Sequence, residues 1–208
     1  MSFIAFLIAA TVLAITPGPG IAYVVARTVA GGRAEGLASC IGTGVGGMLH
    51  VLAAAVGLSL LVAQSALAFT VLKYLGAAYL VYLGVRMLLR KEPDADLKAV
   101  SPQGARRALF EGIAVEALNV KTALFFLAFL PQFVAPGEPL VPQLVLLGSI
   151  CVALNTAADV MAVLVAHRLL HSGAARAARA RLMTRVSGVT LIGLGVFLAT
   201  ARRQVLTP

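Results

Sequence analysis

Lys121 and Asp159 are the residues of this chain whose types and positions most clearly suggest chemistry. Each falls near the middle of a long apolar segment, Lys121 within 109–134 and Asp159 within 142–167. A lysine or aspartate at the centre of a membrane helix costs about 2.5–3.5 kcal/mol to insert, and such charges usually mark a substrate path or a proton relay. Their opposite signs predict a pair that offsets part of both penalties. Asn119, two residues before Lys121, faces another side of a regular helix. Asn155 shares a face with Asp159 by i, i+4 spacing. His50 sits at the midpoint of the segment 37–63 and can change charge near neutral pH. Amides, one cation, one carboxylate and one imidazole at similar depth suit the binding of a small charged solute or the passage of a proton.

The elements that must position these groups begin with a defect. Thr16-Pro17-Gly18-Pro19-Gly20 lies in the middle of the first apolar stretch, 3–26. Two prolines and two glycines in five residues cannot continue an α-helix, because proline lacks the amide donor and clashes with the preceding turn. In lipid, irregular backbone survives only where protein or a wet cavity covers it. The first helix is therefore predicted to break at Pro17 and Pro19 and to form one wall of a mid-membrane site.

The chain has 208 residues, of which 60% are hydrophobic and only 12% charged. Its mean hydropathy is +0.96. A soluble domain carries about a quarter charged residues, so an all-α polytopic membrane protein is predicted. Apolar blocks at 3–26, 37–63, 66–89, 109–134, 142–167 and 186–201 predict six transmembrane helices within one domain. Residues 1–90 form a first three-helix half, 91–108 a polar loop and 109–208 a second half. The net charge of +9 does not point to nucleic acid, because the basic residues lie between the apolar blocks as topogenic charge does. Arg27, Arg33, Arg90, Lys91, Lys98, Arg106, Arg107, Arg168, Arg176, Arg179, Arg181 and Arg185 occupy alternate connections. Those connections are predicted to be cytoplasmic, with both termini outside the cell inner membrane. Lys73 is expected to snorkel to the outer interface. With no basic region and no cleavage-like site ahead of it, the first segment reads as a spanning helix rather than a signal peptide.

The two halves echo each other. Lys73-Tyr74-Leu75-Gly76 followed by Leu83-Gly84-Val85 resembles Arg185-Val186-Ser187-Gly188 followed by Leu194-Gly195-Val196. Three spans per half would make the repeat inverted, and inverted repeats with broken helices are a transporter signature. Gly42 and Gly46 read as a small-xxx-small contact between helices rather than a nucleotide loop, since no strand precedes them. Gly-rich faces can pack within or between protomers, so a homo-oligomer stays open. Glu116 is placed near the cytoplasmic interface, and His167 and His171 in solvent. Cys40 and Cys151 read as small packed hydrophobes. A membrane thiol-redox carrier would need the two thiols to meet. A cation exporter would need several converging carboxylates or thiolates. No metal-spaced Cys/His set and no nucleophile elbow is present, so neither an enzyme nor a cofactor is expected.

Thr16-Pro17-Gly18-Pro19, the Gly-rich helix with His50, Gly76-Ala77-Ala78-Tyr79-Leu80-Val81-Tyr82-Leu83-Gly84 and Phe125-Phe126-Leu127-Ala128-Phe129-Leu130-Pro131-Gln132-Phe133-Val134 together resemble the lysine-exporter (LysE/RhtB) family, from Thr16 to Gly195. The resemblance implies secondary active export of amino acids or related zwitterions, driven by the proton-motive force. One departure is Asn119-Val120-Lys121, where the family commonly has Asn-Pro-Lys; it puts a break in the fourth helix in doubt. On this reading Thr16, Pro17, Gly18, Pro19 and Gly20, with Asn119, Lys121, Asn155 and Asp159, bind the substrate. Free amides around Gly18 and Gly20 meet its carboxylate, Asp159 meets its ammonium, and Asp159 or His50 carries the proton.

Overall fold

The computed structural model describes residues 3–64, 66–89, 101–169 and 173–200, and within them the chain is helical throughout. Helix α1 (Phe3–Ile15) is followed by α2 (Pro19–Gln64), α3 (Ala66–Leu89), α4 (Ala105–Ala117) and α5 (Val120–Leu124). A π-helical turn (Phe125–Phe129) and a 3-10 turn (Leu130–Phe133) lead to α6 (Leu140–Leu169) and α7 (Gly173–Thr200). Pro19–Leu58, Leu67–Leu89 and Leu140–Ala166 are long and apolar enough to cross a membrane. The pair Ala105–Ala117 and Val120–Phe133, bent by 46°, makes a fourth candidate. Large apolar side chains such as Ile4, Ile8, Ile41 and Val56 point outward, as a lipid-facing surface requires.

The long helix α2 is not a straight rod. Gly32 has φ 73° and ψ −167°, a conformation open to glycine and strained for other residues. About this residue the chain doubles back. Arg27 contacts Glu35, a Cβ on Gly36 would meet Thr28 Oγ1, and Val24 shares an apolar cluster with Cys40. In a straight helix residues eight apart lie about 12 Å from each other, so these contacts define a helical hairpin. Its arms take in the end of the predicted segment 3–26, from Pro19 on, and the predicted segment 37–63, and the loop expected between them has shrunk to one glycine. Arg27 is accordingly no solvated loop charge. It is 2% exposed and paired with Glu35 at 3.5 Å. Glu35 Oε1 also accepts the backbone N–H groups of Gln103 and Gly104, both at 2.7 Å, and so anchors the start of α4.

Helix α3 begins and ends where the sequence places it. Helix α7 starts at Gly173, well before the expected 186. The intervening Ala- and Arg-rich run contains strong helix formers and no breaker, so nothing stops the helix there. Lys73 does not snorkel. It is 7% exposed, with its ammonium 5.3 Å from the centre of the Tyr74 ring.

Small residues let the helices approach. A Cβ on Gly42 would strike the Leu109 carbonyl of α4, and one on Gly46 would lie 2.7 Å from the Ile113 carbonyl. Gly84 faces Gly188, and Gly195 faces Ala77 and Val81, so the echoed glycines of α3 and α7 pack antiparallel against each other. The larger apolar core gathers Phe6, Phe125, Phe126, Phe129 and Leu144. The Phe125 and Phe129 rings stack at 4.7 Å. Pro131 has no N–H to continue the ladder and crowds the carbonyl four residues earlier, which accounts for the widened turn ahead of it. The polar stretch expected around Lys91, Glu92, Asp94, Asp96 and Lys98, the side chains of His167, Arg168, Arg176, Arg179 and Arg181, and all of Arg90 and His171 lie outside what the structure describes.

Candidate functional site

Two breaks build the site. The first follows α1. The Thr16 N–H closes a short turn onto the Leu13 carbonyl, its hydroxyl bonds the Val12 carbonyl at 2.6 Å, and helix resumes at Pro19. Proline at a first helical position loses nothing, because that amide would be unpaired anyway. The Thr16 carbonyl has no helical partner, and Lys121 Nζ donates to it at 3.1 Å.

The second break separates α4 from α5, and it forms without the proline. Asn119 takes φ −77° and ψ 99°, and its Oδ1 accepts the Lys121 N–H at 3.1 Å as a helix N-cap. The doubt raised by Val120 is thereby resolved: an asparagine cap suffices to end one helix and start the next. The ring of His50 closes the other side of this break. Its Nε2 lies 2.8 Å from the Glu116 carbonyl, acting as donor because a carbonyl can only accept, and its ring stacks on Phe126.

Between the breaks lies one cavity, with about 430 Å³ between its lining atoms, open mouth included. Of the nine residues expected to bind substrate, Thr16, Gly18, Gly20, Asn119, Lys121, Asn155 and Asp159 line it. Pro17 and Pro19 shape the break without facing the cavity, and His50 stands behind the wall, against the Glu116 peptide.

Two expectations change. No direct ion pair joins Lys121 to Asp159 among the described residues; Lys121 takes the Thr16 carbonyl instead, and Asp159 Oδ2 lies 2.9 Å from Thr43 Oγ1. Glu116, expected near the cytoplasmic interface, faces the site. It is 7% exposed and lines the cavity. Its Oε2 accepts from Asn119 Nδ2 at 3.0 Å and its Oε1 from Thr122 Oγ1 at 2.7 Å. The two glycines of the first break are shaped by the second. A Cβ on Gly18 would lie 2.9 Å from Lys121 Nζ, and one on Gly20 would lie 2.6 Å from Glu116 Oε2. The position near Gly20 expected to receive a substrate carboxylate therefore lies against a carboxylate of the protein.

Sequence reasoning missed Glu116, Thr43, Thr122 and Thr156 as lining residues. For Glu116 a signal existed in its i, i+3 spacing to Asn119. The threonines carry no sequence mark, since hydroxyls are common in membrane helices. Thr43 Oγ1 has one hydrogen and two acceptors, Asp159 Oδ2 at 2.9 Å and the Cys40 carbonyl at 3.0 Å. It can donate to an ionised Asp159, or donate to Cys40 and accept from a protonated one. Cys40 and Cys151 are both free and buried, and they sit in separate apolar clusters. The pairing that a thiol-redox carrier needs is absent from this arrangement.

Comparison with known proteins gives the family. The chain is 30% identical over 204 residues to an uncharacterised membrane protein of Vibrio cholerae, covering 96% of this chain and 97% of that one. It is 34% identical over 145 residues to the homoserine/homoserine lactone efflux protein of Salmonella typhimurium, covering 69% and 70%. It is 32% identical over 197 residues to an uncharacterised membrane protein of Pseudomonas aeruginosa, covering 89% and 88%. No solved structure matches. The LysE type translocator family matches residues 11–202, and this chain belongs to that family of membrane transporters.

Proposed function

We propose that this protein is a secondary active exporter of amino acids or closely related small zwitterions, driven by the proton-motive force across the cell inner membrane. The observation that carries the reading is the cavity where two helix breaks bring Lys121, Asn119 and Asp159 together. Homoserine and its lactone, named for the Salmonella relative, are the first substrates to try. Lys121 takes the substrate carboxylate in exchange for the Thr16 carbonyl, and Asn119 and Asn155 orient it. Asp159 carries the coupled proton, because the Thr43 hydroxyl can serve either of its charge states. His50 is the second candidate for that role. Six spans in two inverted halves, with both termini outside, supply the alternating access by which one half rocks against the other.

The test is uptake into inside-out vesicles of a panel of labelled amino acids, with and without an acidic interior. Export in the cell corresponds to uptake here, stimulated by the gradient. Replacing Asp159→Asn should abolish gradient-driven uptake while the protein remains in the membrane. Wild-type uptake in that variant removes Asp159 from the mechanism, and no uptake of any amino acid by the wild type removes the exporter reading.

A further inference from the structure

We infer that Glu116 is the group that recognises the substrate's ammonium, and that Glu116 and Lys121 together form a fixed charge pair matched to a zwitterion. The inference rests on the exporter reading and adds a residue and a specificity to it.

The geometry assigns opposite signs to the two sides of the first break. Lys121 Nζ occupies the space over Gly18 and bonds the Thr16 carbonyl, at the carboxyl end of α1. Glu116 Oε2 occupies the space over Gly20, in the first turn of α2. Each charge faces the helix end whose dipole favours it, a cation at a carboxyl end and an anion at an amino end. Both side chains come from the second break, one from the last turn of α4 and one from the first turn of α5. The two breaks therefore hold a cation and an anion side by side at the edge of one cavity.

The orientation of Glu116 follows from its partners. Each carboxylate oxygen accepts a hydrogen bond, from Asn119 Nδ2 and from Thr122 Oγ1. The two bonds fix the orientation of the carboxyl group at the cavity wall. Asp159 has one such side-chain partner, the Thr43 hydroxyl. The charged and titratable groups around Glu116 are Lys121 from α5, Asp159 from α6 and the His50 ring from α2 at its carbonyl. Glu111, one turn and a half earlier on α4, is engaged by Arg107, Gln103 and Tyr23. Among these, Glu116 is the carboxyl group that the second break holds on both oxygens and presents at Gly20, next to the Lys121 ammonium over Gly18. A zwitterion laid antiparallel to the pair puts its carboxylate on Lys121 and its ammonium on Glu116.

The experiment is equilibrium binding to the purified full-length protein, with labelled homoserine as probe. N-acetylhomoserine, which lacks the ammonium, and homoserine lactone, which lacks the carboxylate, are the competitors. Wild type should favour homoserine over N-acetylhomoserine by roughly 10- to 100-fold, the range of a hydrogen bond to a charged group. In Glu116→Gln that ratio should collapse towards one, while the ratio of homoserine to its lactone stays as in wild type. Glu116→Asp should keep part of the first ratio, and Gly57→Ala, whose added Cβ meets nothing within 4 Å, should keep all of it. A Glu116→Gln variant that retains the homoserine to N-acetylhomoserine ratio overturns the inference. So does one that changes both ratios together, because that is the mark of a merely structural role. Should Glu116→Gln fail to fold, Glu116→Asp decides alone: an unchanged first ratio overturns the inference and a selectively reduced one supports it. Wild-type protein that binds none of the three probes nor any other amino acid removes the exporter reading and this inference with it.

Discussion

Gly20→Ala is the smallest change that should disturb the site, and its effect can be worked from distances. The added Cβ would lie 2.6 Å from Glu116 Oε2, roughly 0.8 Å short of the ordinary 3.4 Å contact. The carboxylate can retreat, but its Oε2 already accepts from Asn119 Nδ2 at 3.0 Å. A retreat of that size carries the bond to the edge of hydrogen-bonding range or past it. Losing a hydrogen bond to a charged group costs about 1.5–3 kcal/mol. Alanine returns at most about 1 kcal/mol of helix preference over glycine. The net loss is then about 0.5–2 kcal/mol, or roughly 2- to 30-fold on the equilibrium that seats the carboxylate. The assay is the initial rate of labelled homoserine uptake into inside-out vesicles, normalised to protein in the membrane. A fall of about tenfold is expected. Gly57→Ala is the control, because its added Cβ meets nothing within 4 Å, and it should leave uptake unchanged. Uptake by Gly20→Ala at the wild-type rate, at equal protein, would refute the claim that the Glu116 carboxylate must stay where it is.

Three further outcomes follow from the same contacts. Gly42→Ala drives a methyl group into the Leu109 carbonyl and the Gly112 backbone, which cannot swing aside. At about 1–3 kcal/mol for overpacking and about 2–4 °C per kcal/mol in a chain of this size, the apparent Tm in detergent should fall by about 5 °C. Asn119→Ala removes a cap worth about 1 kcal/mol and should lower the apparent Tm by about 3 °C. Asn119→Ser keeps the cap and should hold the Tm, while homoserine binding weakens in both because each loses the amide Nδ2 that reaches Glu116 Oε2. Finally, Cys40→Ser combined with Cys151→Ser should transport at the wild-type rate; loss of transport with protein still in the membrane would reopen a redox role for the thiols.

Much of the architecture was legible because it depends on local chemistry. Two prolines in the middle of an apolar stretch interrupt its helix, and apolar length predicts where helices run, as the match at Ala66–Leu89 illustrates. Helix ends set by absence of a signal were harder. Nothing in the sequence around Gly32 distinguishes a tight reversal from a loop, because one glycine at φ 73° can do the work of several residues. At Val120 the missing proline pointed the wrong way, since an asparagine cap breaks a helix by a different route. Seven of the nine proposed substrate residues line one cavity because polar groups in lipid gather where they can satisfy one another.

By itself, then, the sequence determined the membrane class, the family, the position of the first break and most of the polar residues that meet at the cavity. These follow from residue type, segment length and proline chemistry, and they need no knowledge of neighbours. The tertiary structure alone decided the partners. Lys121 found a backbone carbonyl freed by the break instead of Asp159, and a freed carbonyl has no signature in a sequence. Glu116 stands near the end of α4, where linear distance suggests an interface. The 46° bend after it and the bare backbone at Gly20 and Gly46 turn that position into the wall of a cavity. Which charge sits over which glycine is a matter of helices brought within a few ångströms of each other, and only packing sets that.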